Sequence, residues 1–524
     1  MRLTAKVFAR NLLAGIFASS GMAHLHAQTP PEPWVGTWAV APTGVTGGFS
    51  NKSLRQIVHT SIGGDSARVT LSNLYGSQPV VITDVYLGQR AEAQKVIPGT
   101  NTAVTFGRQA SVTIPPGGSV RSDAVAIAVQ ASSDLVVSMY VPNQVESNVT
   151  GHGGSLQDVY VAPGNVGATA AFTGSTTNSI NGQAYYFLTA VDVLNDQAKG
   201  AVVALGASIT DGIWSRGNEN RRWPNLLATR LRQAGLTVGV LNAGISGNGF
   251  FGGGGAKARF DRDVLRQAGV KWVIVSDAAV NDLNNDNPAS LAQLTGVVHE
   301  LAEQAHAAGV KFLCSTLTPF HGTPQWTKAA ETTRAGLHAY MRSADSGCDA
   351  IVDQAAATGD PSDPTSYAPI YDVGDHLHPN EEGMQAIADA VPLNAFGQTL
   401  PPPQTPTLPP VAPSTNCGRF LPGQGLLAGQ TLVSCDGRYT MAMQLDGNLV
   451  IYDADTPIWW TGTVSQPAAE VLLRADGNFV LYARDASVLW QSASKTANDV
   501  AAWLQGDGNF VIYDTVGPIF ASKR

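Results

Sequence analysis

The polar and apolar residues of this chain fall into three successive patterns. From Trp34 to about Leu194 the period is two: Ser66–Leu74 (SARVTLSNL) alternates with Val69 and Leu71 on one face, and Pro79–Leu87 and Leu135–Val141 (LVVSMYV) predict further strands. Gly63-Gly64-Asp65, Pro115-Pro116-Gly117-Gly118 and Gly151–Gly154 punctuate them, and many short strands divided this way predict a β-sandwich. From Ala201 to about Phe396, apolar runs at Ala201–Leu205, Val238–Leu241, Val270–Val275, Val310–Leu317 and Ala350–Val352 alternate with helical periodicity. Trp223, Leu226, Leu227 and Leu231 recur at helical spacing, and Ser290–Ala308 carries Leu291, Leu294, Val298 and Leu301 on one face. That alternation predicts a parallel sheet flanked by helices.

The third pattern is a repeat. Met443–Tyr452 reads MQLDGNLVIY, Leu473–Tyr482 reads LRADGNFVLY and Leu504–Tyr513 reads LQGDGNFVIY. One β unit recurring three times predicts three like sheets. Aromatics follow each copy in step (Trp459 and Trp460, Trp490, Phe520) and predict a shared centre.

Composition adds boundaries. Residues 1–27 read as a secretory signal: Arg2, Lys6 and Arg10 precede the short apolar run Leu12–Met22, and His26-Ala27 before Gln28 offers a cleavage point. A bacterial protein delivered to the periplasm or the medium is the expectation. The sandwich is expected over 28–197 and the parallel-sheet domain over 198–397. A proline-rich linker over 398–416 (LPPPQTPTLPPVAPSTN from Leu400) and the repeat module over 417–524 follow. No later stretch is long and apolar enough to span a membrane. The net charge of −8 argues against nucleic acid as partner. Export permits disulfides, and the four cysteines are expected to pair within domains, Cys314 with Cys348 and Cys417 with Cys435. Their spacing does not resemble a zinc site, so no metal is expected.

Candidate chemistry gathers in the middle pattern. The buried run Ala201–Leu205 ends in Gly206-Ala207-Ser208, which presents a serine at the carboxyl end of a sheet. A serine nucleophile needs a base, an orienting group for that base and donors for the oxyanion. Tyr371–Asn380 (YDVGDHLHPN) offers Asp375 and His378, with Asp372 and His376 as competitors. Asn242–Asn248 (NAGISGN) brings the Gly247 N–H and Ala279–Asp282 (AVND) the Asn281 amide, each after a strand. A parallel sheet would collect all of these at one rim. His59 and His152 read as structural.

GASITDG, NAGISGN, AVND and DHLHP occur in this order, and the stretch from Ala201 to about Ala390 resembles an SGNH (GDSL-type) hydrolase. The resemblance implies a three-layer α/β/α, flavodoxin-like fold and a serine esterase, lipase or acylhydrolase working through an acyl-enzyme without a cofactor. It implies Ser208 as nucleophile, His378 as base, Asp375 as its partner, and the Ser208 N–H, Gly247 and Asn281 as the oxyanion hole. Two positions depart from the family pattern. Ala207 replaces an aspartate that would brace the nucleophile loop, and Ala279 replaces a glycine and adds a methyl near the acyl pocket. The residues from Trp34 to about Leu194, through WVGTW, LRQIVHTSIGG and SARVTLSNLYG, resemble the β-sandwich module preceding this domain in some secreted bacterial members.

The repeat resembles a bulb-type (mannose-binding) lectin domain, which implies a β-prism and mannose-type glycan ligands. The motif Q-x-D-x-N-x-V-x-Y is complete at Gln444, Asp446, Asn448, Val450 and Tyr452, and again at Gln505, Asp507, Asn509, Val511 and Tyr513. The middle copy keeps Asp476, Asn478, Val480 and Tyr482, but Arg474 stands for the glutamine and cannot accept a hydrogen bond. Alternating Gln, Asp, Asn and Tyr would meet sugar hydroxyls and the valine would pack on the ring, whereas Asp-Gly-Asn alone could be only a hairpin turn. The expectation is a secreted serine esterase acting on carboxylic esters, with short-chain acyl or glycan-borne acetyl groups, and a lectin module that targets glycan. The alternative is a glycan-binding or adhesion protein with a weakened hydrolase domain, motivated by Ala207 and Ala279.

Overall fold

The computed structural model describes residues 33–523 except 146, 178–183, 398–413, 415, 465, 467, 484 and 485. The expected signal segment lies outside the described residues, as does nearly all of the expected linker.

The alternating N-terminal segments pair into antiparallel sheets. A seven-stranded sheet is centred on Lys52–His59 and Asp134–Val141, and a five-stranded sheet on Gly64–Ser72 and Leu188–Leu194. Their inward residues, among them Leu54, Val69, Leu71, Leu135 and Val137, are fully buried, as period-two patterning requires of facing sheets. A three-stranded sheet (Thr43–Thr46, Asn148–Gly153, Ala184–Tyr186) adjoins them.

The middle region forms a five-stranded parallel sheet with Gly200–Gly206 second from one edge, beside the edge strand Val238–Gly244. Val270–Val275, Lys311–Ser315 and Ala350–Val352 follow in that order on the other side. Trp223–Gln233 and Glu381–Asp389 bury Trp223, Leu227, Leu231, Met384 and Ile387 on one face. Leu291–Ala307 covers the other, opened by a capping box in which Ser290 and Gln293 satisfy each other's backbone N–H. Leu291, in the first turn, is 38% exposed rather than part of the buried stripe, and its side chain lies against Gly336 of the helix Lys328–Met341. Cys314 bonds Cys348.

The repeats give three four-stranded antiparallel sheets, one around each copy of the motif. Phe420, Phe479 and Phe510 meet at their centre, with ring centroids 4.8 to 6.4 Å apart. Trp459, Trp490 and Phe520 form a second aromatic layer at 5.6 and 6.0 Å. Trp460, expected at the centre with them, faces out and is 57% exposed: neighbouring strand residues point to opposite faces, so only one of the tandem tryptophans can enter. Cys417 bonds Cys435.

The sandwich is fastened onto the edge of the parallel sheet. Gly36 donates its N–H to Ala268 O at 2.9 Å, and Val240 N–H reaches Ser61 Oγ at 2.9 Å. A Cβ at Gly239 would lie 2.1 Å from Gly36 O, so the two backbones approach as only glycine permits. Beside this seam His152 bridges the modules, with Nδ1 2.8 Å from Ala41 O and Nε2 3.0 Å from Asp211 Oδ1. Both ring nitrogens therefore face oxygen atoms, one from each module. Arg222 completes the clamp, bonding Asp211 O at 2.5 Å, Gly154 O at 2.9 Å and Ser155 O at 2.8 Å.

Burial pushes the Asp211 carboxyl up, but His152, Arg222 and Ser246 more than offset this and hold it below the usual carboxylate range. A carboxyl depressed on folding stabilises the fold above its unfolded value of about 4, and that contribution fades as pH falls through the lower folded value. Asp211→Ala should cost roughly 3–5 kcal/mol at pH 7, the usual effect of orphaning a buried charge. Urea unfolding at pH 7 and pH 3 checks this: the gap between wild type and variant should narrow at the lower pH.

Candidate active site

Ser208, Gly247 and Asn281 each sit just beyond the carboxyl end of a strand of the parallel sheet, and the turn carrying Asp375 and His378 closes on Ser208. Gly200–Gly206 is buried throughout and runs directly into the four-residue helix Ser208–Asp211. Gly212 stops that helix in a left-handed conformation and donates its N–H to Ser208 O at 2.8 Å.

Ser208 Oγ lies 2.9 Å from His378 Nε2, and His378 Nδ1 lies 2.7 Å from Asp375 Oδ2. The other oxygen of Asp375 accepts the N–H groups of Leu377 at 3.0 Å and His378 at 2.9 Å. A spacing of three therefore suffices, because the carboxylate folds back over its own turn. Burial raises the Asp375 carboxyl, but the His378 ring and these two N–H groups prevail and hold it below the usual range. The competing pair is separate: His376 Nδ1 is 2.9 Å from Asp372 Oδ2, and Asp372 Oδ1 accepts the N–H of Gly374 at 2.7 Å and of His376 at 3.1 Å. Those bonds build the turn on which His378 stands.

Gly247 is exposed at φ 76° in the loop after Val238–Gly244. Asn281 lies in the helix Ala278–Leu283 and donates from Nδ2 to Asn248 O at 3.1 Å, which fixes its amide and leaves the second N–H of that nitrogen.

Asp277 was not singled out by its sequence context. Its carboxylate accepts the N–H of Ala207 at 3.1 Å and of Ile209 at 2.9 Å, and the Thr210 hydroxyl at 2.5 Å. It reaches the nucleophile turn from the end of the neighbouring strand and braces it, the task that Ala207 leaves undone. Arg259 was also missed. Fully buried, it bonds Gly206 O at 3.0 Å, Ala243 O at 2.7 Å and Asn248 Oδ1 at 3.0 Å, tying two strand ends to one loop. The charged run RFDRDVL from Arg259 was its only visible signal. Ala279 is wholly buried in the core, so the extra methyl expected near the acyl pocket has no exposed surface there.

In the repeat module the motif residues meet each other. Gln444 Nε2 donates to Tyr452 Oη at 2.7 Å and Gln505 Nε2 to Tyr513 Oη at 2.9 Å. Asp446, Asp476 and Asp507 each accept the N–H of the asparagine two residues on. The asparagine oxygens serve the fold: Asn448 accepts from Thr461 and Thr463, Asn478 from Ser492, and Asn509 from Ser522 and Lys523. Arg474 forms an ion pair with Asp476 at 3.1 Å. Val450, Val480 and Val511 are already buried, which leaves little of them to pack on a sugar.

Among the described residues no group of three or more His, Cys, Asp or Glu side chains gathers as metal ligands would, and no helix is long and apolar enough to cross a membrane. A hydroxyl bonded to an imidazole that is bonded to a carboxylate, at the rim of a parallel sheet, is the arrangement of a serine hydrolase.

Residues 204–386 match the GDSL-like Lipase/Acylhydrolase family, so the chain carries a hydrolase domain of that family. It is similar to a candidate acylhydrolase from Bacteroides fragilis at 22% identity, covering 38% of this chain and 87% of that one with a TM-score of 0.30. It is similar to a GDSL-like lipase from Bacteroides thetaiotaomicron at 20% identity, covering 38% and 90% with a TM-score of 0.30. A mannose-specific snowdrop (Galanthus nivalis) bulb agglutinin matches at 34% identity over 19% of this chain and 90% of its own, with a TM-score of 0.18. No curated protein matches the chain.

Asp277→Ala strands two buried N–H groups at the nucleophile turn, which should cost about 2 kcal/mol of stability. It should lower kcat on p-nitrophenyl acetate roughly 100-fold, as expected when a reacting group shifts by about an ångström. Restoring a carboxylate from the other side, with Ala207→Asp in the same background, should recover part of both. Thermal melts and steady-state rates of the three proteins check this.

Proposed function

We propose that the chain is an exported serine esterase in which Ser208 attacks carboxylic esters and a C-terminal lectin module holds the enzyme near glycan. The observation that carries the reading is the continuous bond chain from Ser208 Oγ through His378 to Asp375. His378 takes the Ser208 proton as Oγ bonds the acyl carbon, then gives it to the departing alcohol. Water, activated by the same imidazole, releases the acid and regenerates Ser208. Asp375 holds the Nδ1–H tautomer and offsets the imidazolium charge. The N–H groups of Ser208 and Gly247 and the free amide N–H of Asn281 serve as oxyanion donors, each worth about 3 kcal/mol in such sites. The weakened-hydrolase alternative loses its main motive, because Asp277 supplies the bracing carboxylate.

For the lectin module, the Gln444–Tyr452 and Gln505–Tyr513 pairs supply donors and acceptors beside Asp446 and Asp507 in the first and third copies. The Arg474–Asp476 ion pair closes the middle copy. Two usable sites on one module favour a glycan surface over a free sugar.

Ser208→Ala should abolish turnover of p-nitrophenyl butyrate. Asp375→Asn should lower kcat about 10⁴-fold by favouring the wrong imidazole tautomer. Because the Asp375 carboxyl is held below the usual carboxylate range, its protonation should not set the acid limb of the wild-type rate profile within or above that range. Retention on mannose-agarose should weaken with Gln444→Ala or Gln505→Ala, disappear with both, and be unaffected by Arg474→Ala. Turnover by the Ser208→Ala protein equal to wild type would overturn the triad.

A further inference from the structure

A cavity of about 340 Å³ opens beside the far end of the helix that Ser208 begins, with Asp211 and Ile213 in its wall, and the two modules build it together. His152, Gly153 and Leu156 line it from the sandwich, and Ile213, Trp214 and Ile245 from the hydrolase domain. It is next to the reacting groups by chain and by bonding. Ile213 donates its N–H to Ser208 O at 3.0 Å, and Ile245 is two residues before Gly247. The buried His152–Asp211 pair closes its polar end, while Leu156, Ile213, Trp214 and Ile245 make the rest apolar. Resting on the esterase reading above, we propose that this cavity binds the acyl group of the substrate, and that the sandwich module thereby sets acyl-chain length.

The side of Ser208 on which the cavity lies decides between acyl group and alcohol. His378 must reach the leaving oxygen to protonate it, so the alcohol leaves on the His378 side. Neither His378 nor Asp375 lines the cavity, whereas Ile245 and Ser246, which do, stand in the same loop as Gly247, after the edge strand Val238–Gly244. With the carbonyl oxygen among the oxyanion donors and the alcohol toward His378, the acyl chain is directed into the cavity.

The walls are held in place at some conformational cost. Leu156 has φ 49° and Trp214 φ 70°, a left-handed backbone that bulky residues avoid. Such conformations persist only where the surroundings impose them, and they cluster at ligand sites. Here Arg222 bonds the carbonyls of Gly154 and Ser155, and Asn218 donates its N–H to Leu156 O at 2.8 Å. Trp214, 59% exposed, stands at the mouth with its ring available to a passing chain. A methyl built on Gly153 would meet nothing within 4 Å, so this wall is bare by sequence rather than by steric need.

The test uses full-length protein and p-nitrophenyl acetate, butyrate, hexanoate and octanoate. Wild-type kcat/KM should rise about fourfold per added methylene until the cavity is full. Gly153→Val should cut the hexanoate-to-acetate ratio at least tenfold, and Leu156→Ala should move the optimum to a longer chain. Opposite shifts from two variants separate a pocket effect from misfolding, and melting curves confirm both folds. A hexanoate-to-acetate ratio near one in wild type, or one that neither variant moves, would overturn the assignment. So would a ratio that changes only when the alcohol is varied at fixed acetyl (ethyl, hexyl and naphthyl acetates), which would make the cavity a leaving-group site. If wild type cleaves no ester, or Ser208→Ala cleaves as fast, the esterase reading itself fails.

Discussion

Two backbone N–H groups at the turn after a buried strand have no water to bond, and Asp277 provides their acceptor. Much of the site depends on this contact. The N–H groups belong to Ala207 and Ile209, on either side of Ser208, so the same carboxylate that satisfies them also fixes the direction in which the serine hydroxyl leaves the sheet. A parallel sheet delivers neighbouring strand ends to one rim, and for that reason a carboxylate can come from the following strand as readily as from the turn itself. Arg259 does the complementary work on carbonyls, bonding those of Gly206 and Ala243 at the ends of two neighbouring strands.

The second constraint is the open edge of the parallel sheet. Val238–Gly244 is an edge strand, and an uncovered edge invites unwanted pairing. The sandwich packs on it at a glycine–glycine approach, with the Ser61 hydroxyl on the Val240 N–H and one backbone bond from Gly36 to Ala268, and His152–Asp211 and Arg222 fasten the seam nearby. Asp211 is one helical turn after Ser208, so the His152–Asp211 bond that joins the modules also anchors the nucleophile helix. The N-terminal module is therefore continuous with the active-site wall.

How much of this was legible follows from the range of each interaction. Ser208, His378 and Asp375 could be read because each stands in a local motif, and Asp375 and His378 are three residues apart. The chain alone left Asp372 and His376 as rivals; only the folded turn shows that Asp372 builds it and His376 points elsewhere. Asp277 is some seventy residues from the turn it braces, and Arg222 and His152 act across a module boundary, so no local pattern announces them. Residue type misled where orientation decided. Trp460 shares its type with Trp459 yet faces solvent, and Leu291 keeps helical spacing yet stays partly exposed in the first turn. The departure at Ala207 looked like a loss because its partner could not be seen.

The same distinction bears on the repeat module. Asp-Gly-Asn recurs in all three copies because the hairpin needs it: the asparagine oxygen is consumed by the next strand in each case. Repetition of those residues therefore says little about ligand. The glutamine and the tyrosine are different, since they bond each other across the hairpin and the turn itself closes through the aspartate and asparagine. Where the glutamine is lost, an arginine has closed on the aspartate, so the copy that departs in sequence is also the copy whose acceptor is spent.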